Sequence, residues 1–327
     1  GPDTTIPRAQ DLLKAGQILA VKGLGGFHLA CDAQNQTAVE LLRKRKKRSH
    51  KPMAVMLPDL DTIRVHCQVS QEEEKLLSSV KRPIVLLKQK QESNLVNELN
   101  PGQNHLGVML PYTPLHYLLF RQDHHSGKSV IEALVMTSGN LSDNPLEIDN
   151  ISAEKNLGGI VDGFLYHNRD IHVPCDDSVT RIMELGQGQV NRCYLLRRSR
   201  GYAPNPVILD WDTDSILAVG AEQKNAFCLT RDNFAFLSQH IGDLKNFETL
   251  ESFESSILHF EDLFRTHPSL IAYDLHPDYL STRYALERAE IDGISAIGVQ
   301  HHHAHIAACL ADNNHPAGEP VLGVAFD

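Results

Sequence analysis

Within His301-His302-His303-Ala304-His305, four imidazoles crowd into five positions. Histidines four residues apart share one face of a helix, and neutral imidazole is a common ligand of divalent metals. His301 and His305 are therefore candidate ligands of one ion, with His302 and His303 directed elsewhere. A carboxylate is the usual third partner. Asp327, at the end of the strand-like run 321–326, is the candidate. Two histidines and a carboxylate suit Zn2+ or Fe2+. A third ligand at the last position leads to the expectation of a domain cut short there.

The second concentration of chemistry is Arg43-Lys44-Arg45-Lys46-Lys47-Arg48-Ser49-His50-Lys51-Pro52. Consecutive charges on a helix point all round it, so the run has three readings: a solvated face, a nucleic-acid patch, or cations converging on a polyphosphate. The Lys51-Pro52 stop, ahead of apolar Met53-Ala54-Val55-Met56, aims the helix end toward a cleft and suits the third. Thr137-Ser138-Gly139-Asn140 closes a strand-like run, where α/β sheets bind ligands. Gly220-Ala221-Glu222-Gln223-Lys224-Asn225 is either an ordinary strand connection or, in an actin-like ATPase fold, a backbone cradle for phosphate; Lys224 and Asn225 are its candidate residues.

Alternating strand-like and helix-like runs must position these groups, and they specify an α/β fold. Strands are expected at 18–21, 53–57, 83–87, 107–110, 133–136, 164–166, 178–183 and 194–196. Helix starts are expected at Thr37 with Glu40, at Ser70 with Glu73 (both capping-box pairs), and at Thr113-Pro114. The basic, then proline-punctuated stretch 197–206 divides the chain into domains 1–204 and 205–327. The second should hold a strand at 216–219 and a hairpin of 226–230 with 234–238 around Arg231-Asp232-Asn233. A helix at 248–264, strands at 270–273 and 294–299 with helices between and after, and a last strand at 321–326 should follow.

A net charge of -10 over 327 residues argues against nucleic acid as the general partner. No apolar run approaches the ~20 residues of a membrane span, and no signal-peptide pattern opens the sequence. A cytoplasmic location without membrane association is expected. The six cysteines lack any C-x-x-C pair, which suits reduced thiols better than a zinc ribbon or disulfide framework.

Three segments together resemble the YrdC/Sua5 superfamily, over roughly residues 5–204. They are Lys22-Gly23-Leu24-Gly25-Gly26-Phe27-His28-Leu29-Ala30-Cys31-Asp32-Ala33, Lys46-x-Arg48-x-x-Lys51-Pro52, and Ser138-Gly139-Asn140. The resemblance implies a twisted open sheet and formation of an acyl-adenylate from ATP with Mg2+. It implies that Lys46, Arg48 and Lys51 are the catalytic cations. It also implies that Lys22, Phe27, His28, Ser138 and Asn140, with Ser178 and Arg197 further on, line the nucleotide and substrate site. The threonylcarbamoyl branch carries Pro-Thr-x-Thr where this chain has Lys22-Gly23-Leu24-Gly25. That departure favours a carbamoyl substrate over tRNA modification.

Segments 238–244, 274–282 and 299–305 are similar to a Kae1-like module, a partial actin-like ATPase lobe. In this order the two modules resemble the HypF-type carbamoyltransferases of nickel–iron hydrogenase maturation. That family implies carbamoyl phosphate and ATP as substrates, carbamoyl-adenylate as intermediate, and the carboxy-terminal cysteine of HypE as acceptor, for synthesis of a cyanide ligand. It implies His301, His305 and Asp327 as metal ligands. It further implies an acylphosphatase-like domain and a cysteine-rich zinc segment before this stretch and more of the Kae1-like module after it, so these residues are expected to retain only adenylation. A small-molecule O-carbamoyltransferase and an RNA-associating YrdC-like module are the alternatives.

Overall fold

The computed structural model describes residues 2–121, 131–141, 144–183, 192–316 and 318–327. Contacts divide the chain into one unit of residues 1–142 and 146–201 and another of 143–145 and 202–327.

The first unit is built on a mixed sheet, nine-stranded among the described residues. Its strands are β1 (Leu19–Lys22), β2 (Phe27–Asp32), β3 (Val55–Met56), β4 (Ile84–Lys88), β5 (His105–Met109), β6 (Leu134–Ser138), β7 (Gly163–Leu165), β8 (Val179–Met183) and β9 (Arg192–Arg197), in spatial order β7-β1-β2-β6-β3-β5-β4-β8-β9. Alternate residues feed two cores, as the two-residue period of a strand requires. Phe27, Leu29, Val55, Val85 and Val135 face one cluster, which α2 (Gln36–Arg45) covers with Ala38, Val39 and Leu42. Val21, Ala30, Met56, Leu134 and Met136 face the other, which takes Leu13 from α1 (Pro2–Lys14) and Leu119 from α5 (Pro114–Phe120).

Local signals hold where they are self-contained. Ser70 and Glu73 form the reciprocal capping box of α4 (Gln71–Ser78), the helix after α3 (Leu60–His66), and Thr113 caps α5 with Pro114 at its first turn. The start expected at Thr37 is displaced. Asn35 is the cap, accepting from the amide of Ala38, because a turn closed by Asn35 N–H on the Asp32 carbonyl delivers the chain to the helix two residues earlier. Strand β6 also runs further than expected and carries Thr137 and Ser138 within it.

The second unit holds a sheet, five-stranded among the described residues, in the order β10-β12-β11-β13-β14, made of β10 (Val207–Thr213), β11 (Ile216–Ala218), β12 (Cys228–Leu237), β13 (Leu270–Asp274) and β14 (Ser295–Val299). The hairpin expected around Arg231-Asp232-Asn233 does not form. Strand β12 continues through it with a register irregularity, where Asp232, left-handed at φ 53, lies opposite Thr213 of β10. Strand β10, which has no counterpart among the expected strands, begins directly after the 197–206 stretch and supplies the ladder partner of β12. Phe227, Phe253 and Phe260 form the centre of this core, the last two on α7 (Phe247–Phe264). Helix α8 (Leu280–Asp292) joins the parallel strands β13 and β14, and α9 (His301–Asp312) follows β14 directly. The strand expected at 321–326 makes no ladder. Its Leu322 and Phe326 are exposed, so neither partner nor core holds it in a sheet. No described helix is long and apolar enough to cross a membrane.

Candidate active site and metal centre

The basic run ends α2 in a Schellman motif. Arg48 N–H donates to the Arg43 carbonyl at 2.9 Å and Lys47 N–H to that of Lys44 at 3.2 Å, with Lys47 left-handed at φ 52. This reversal separates the fates of neighbouring cations. Lys46, at the cap, is buried, and its ammonium donates to the Ser138 carbonyl, to Ser138 Oγ at 3.3 Å and to Asn140 Oδ1 at 3.1 Å. Arg48 donates to Thr137 Oγ1 at 3.2 Å and to the Pro52 carbonyl at 2.6 Å. Arg43 turns inward, so the run is not one positive face. Its guanidinium donates to five carbonyls, those of Arg48, Ser49, Lys51, Glu98 and Leu99.

Crowding cations inside the fold has an electrostatic cost. Burial, followed by repulsion from Arg48 and Lys51, lowers the Lys46 pKa to about 7. Burial, with Arg43 and Arg197 adding, lowers that of Arg48 to about 10. One carboxylate opposes both. Asp176 attracts Lys46 and Arg48 and pairs with Arg197 at 2.5 Å. Lys46, Arg48, Arg197, Ser138 and Asn140 thus converge at the carboxyl end of β6, and the Lys51 charge reaches Lys46 as well.

Close backbone approach shapes the same place. Gly139 N–H donates to the Phe27 carbonyl at 2.7 Å, and a Cβ at Gly139 would lie 2.6 Å from that oxygen. Gly139→Ala should destabilise the first unit by about 1–3 kcal/mol and displace Asn140, since the clash is with backbone. A denaturation midpoint equal to that of the wild type would sink this account.

The other expected residues are placed as follows. Lys22 is buried and donates to Asn150 Oδ1 at 2.7 Å, Asn150 being the first residue of α6 (Asn150–Leu157). The Phe27 ring is wholly buried in the core, with the Lys22 ammonium 5.9 Å from its centroid, and its carbonyl meets Gly139. Ser178 is also wholly buried. Its hydroxyl donates to the Arg200 carbonyl and accepts from Ser199 N–H, a structural use. His28 meets a buried network instead of the Lys46 cluster. Its Nε2 lies 2.9 Å from Asp177 Oδ2, Arg200 donates to Asp177 Oδ1 at 2.8 Å, and the Arg200 guanidinium stacks on Tyr112 at 3.5 Å. Burial alone would raise the Asp177 pKa, but His28 and Arg200 outweigh it and hold the carboxyl well below the usual range. His116 packs edge-on to Tyr112, and burial pulls it down to about 3, keeping it neutral.

Asp176, Asp177 and Arg200 had no role in the sequence reading. The Asp176-Asp177 doublet is a local hint, but nothing local says that it folds back about 150 residues onto His28.

In the second unit, Asn225 is buried. Its side-chain amide donates to the carbonyls of Val219 and Ala221 and so fastens the 220–225 turn, while Lys224 is exposed there. The metal candidates come together at the start of α9, capped by Gln300. His301 Nε2 lies 2.6 Å from Asp327 Oδ2, and His305 Nε2 lies 3.1 Å from His301 Nε2 and 3.2 Å from Asp327 Oδ2. An ion bound about 2.0–2.1 Å from each ligand atom sets neighbours roughly 3.3 Å apart. The three atoms therefore suit an ion after shifts of well under an ångström, with further coordination positions open. The other His301 nitrogen, Nδ1, lies 2.5 Å from Asp274 Oδ2. That hydrogen bond, partly opposed by desolvation, raises the His301 pKa.

The Sua5/YciO/YrdC family model, described as telomere recombination, matches residues 11–199, and one described as the HypF Kae1-like domain matches residues 212–312. The chain is 46% identical over 324 residues to carbamoyltransferase HypF2 of Cupriavidus necator and 45% identical over 320 residues to carbamoyltransferase HypF of Synechocystis sp.. These alignments take in 96% and 98% of the chain, but it spans only 39% of the length of each relative. A crystal structure of full-length HypF in a phosphate- and nucleotide-bound form superposes with a TM-score of 0.89 at 45% identity, covering 98% of this chain and 48% of that one.

Proposed function

The chain belongs to the HypF family, its first domain to the Sua5/YciO/YrdC family and its second Kae1-like, and from this we propose that it forms carbamoyl-adenylate from carbamate and ATP as part of a carbamoyltransferase. The observation that carries the reading is the convergence of Lys46 and Arg48 on Ser138 and Asn140. A carbamate oxygen attacks the α-phosphorus, the bond to the β-phosphate oxygen breaks, and pyrophosphate leaves. Such a reaction needs positioning and neutralisation of charge spread over phosphate oxygens. Lys46, Arg48 and Lys51 supply the neutralisation, with Mg2+ arriving on the nucleotide. Ser138 and Asn140, which hold the Lys46 ammonium in the free protein, are placed to give it up to a phosphate. Of the remaining binding assignments, Lys22, Arg197, Lys224 and Asn225 are retained as proposals. Phe27, His28 and Ser178 are reassigned to supporting the site walls.

Carbamoyl phosphate is the proposed source of carbamate, and the carboxy-terminal cysteine of HypE the acceptor in the whole enzyme, in the cytoplasm. His301, His305 and Asp327 are proposed to hold a Zn2+ or Fe2+ ion. When bound, the ion supplies Lewis-acid polarisation of a phosphate or carbamoyl oxygen.

The test is exchange of labelled pyrophosphate into ATP with freshly dissolved ammonium carbamate as co-substrate. Carbamate-dependent exchange is expected, falling about 100-fold in Lys51→Ala. Exchange that ignores carbamate, or survives the substitution unchanged, would count against the assignment.

A further inference from the structure

We propose that Asp274 is the positioning residue of the His301–His305–Asp327 centre: its carboxylate fixes the His301 tautomer so that Nε2 faces the ion. The inference rests on the metal reading of those three residues and adds to it a residue that touches no ion.

Three observations carry it. Asp274 is the last residue of β13, and it pairs in parallel register with Val299, two residues before His301. Neighbouring parallel strands thus bring the aspartate and the first helical histidine to the same sheet end. The Asp274 side chain is only 9% exposed, so water competes little for its oxygens. Each of its acceptors is also committed. Oδ2 lies 2.5 Å from His301 Nδ1, Oδ1 accepts the His276 backbone N–H at 2.9 Å, and the main-chain carbonyl accepts the Thr282 hydroxyl at 2.8 Å. A carboxylate clamped at both ends is a fixed acceptor. An imidazole whose Nδ1–H points at it must carry its lone pair on Nε2, and it becomes a stronger donor to a cation. The His305 ring meets its neighbours, His301 and Asp327, through Nε2 alone. The two histidines are therefore unequal: His301 is aimed by the sheet, and His305 follows from helical spacing.

Asparagine at 274 tests this with little change of shape, because one amide oxygen cannot serve both the His276 N–H and the His301 N–H. Zn2+ affinity of the 327-residue chain, read by competition with a chelating dye, should fall about 10- to 100-fold in Asp274→Asn. Binding should be lost in His305→Ala, while melting of Asp274→Asn stays that of the wild type. Long-range 15N–1H spectra of the histidine-labelled, metal-free protein at about pH 9 read the tautomer itself. The spectra are taken with Asp327→Ala in both proteins, because Asp327 Oδ2, 2.6 Å from Nε2, would itself favour Nε2–H. The His301 signal, identified by its loss in His301→Gln, should then report Nδ1–H with Asp274 present and a large Nε2–H population in Asp274→Asn. If the wild type takes up Zn2+ and His305→Ala does not, yet Asp274→Asn keeps wild-type affinity or an unchanged tautomer, the positioning role is overturned and the metal centre stands. If the wild type takes up no Zn2+, the centre and the inference fall together.

Discussion

The affinity of this chain for MgATP is expected to fall close to tenfold per pH unit above about pH 7, with nearly one proton taken up per nucleotide bound near pH 8. The cause is Lys46. Burial and the nearby Arg48 and Lys51 charges hold its pKa at about 7 in the free protein, against an ordinary 10.5. Below pH 7 the ammonium is already charged, and binding moves no proton. Above it the amine is neutral, and a polyphosphate that favours the ammonium must draw a proton from solvent. The slope ends at the higher pKa of the complex. The same shift has a stability consequence of the opposite sense. Between about pH 7 and 10.5 the unfolded chain holds a proton on Lys46 that the folded, nucleotide-free chain does not, so this residue's contribution to stability rises with pH across that window. Calorimetry in two buffers of different ionisation heat measures the uptake directly. Lys46→Met should abolish the proton uptake and reduce affinity about 100-fold or more. Equal heats in both buffers for the wild type would refute the assignment.

The second large effect is expected at a residue with no proposed contact to nucleotide. Arg43→Met should destabilise the first unit by about 3–5 kcal/mol and take nucleotide binding down with it. The guanidinium is the shared donor for carbonyls of Arg48, Ser49, Lys51, Glu98 and Leu99, and methionine leaves those acceptors without it. Arg43→Lys should restore little, since a single ammonium cannot reach carbonyls arranged around a planar fork. Urea unfolding of both variants is the measurement. A midpoint within error of the wild type would show that the 48–51 segment holds its shape unaided.

Arg43 also marks the boundary of what the sequence made legible. That several cations of the 43–51 run would gather beside Ser138 and Asn140 followed from their density and the resemblance. Which cations turn inward did not, because it depends on the left-handed turn at Lys47 and on carbonyls of residues 98 and 99. Ser70 with Glu73 and Thr113 with Pro114 could be read directly because both partners lie within one helical turn. Asn35 and Thr37 are both good caps, and the choice between them was made by where β2 ends. The trio Arg231-Asp232-Asn233 has turn-like composition, yet it stays within β12, with a local irregularity at the left-handed Asp232, because β10, more than 15 residues earlier, lies alongside it. The proposed metal ligands His301 and His305 were legible as a helical pair. Asp274, 27 residues before His301, was not, since only the β13–β14 register brings it there.

The strand order of the first sheet bears on how the protein is made. Strand β1 is bordered on its outer side by β7, and β4 by β8, so strands from the start and middle of the domain are completed by segments from its end. A ribosome adding about 5–20 residues per second needs on the order of ten seconds to travel from β1 to β7. Through that interval the nascent β1 has already emerged with one row of amides and carbonyls unpaired, on a strand whose side chains are all destined for burial. This topology therefore makes the growing chain a natural client for chaperones until residue 183 has been synthesised.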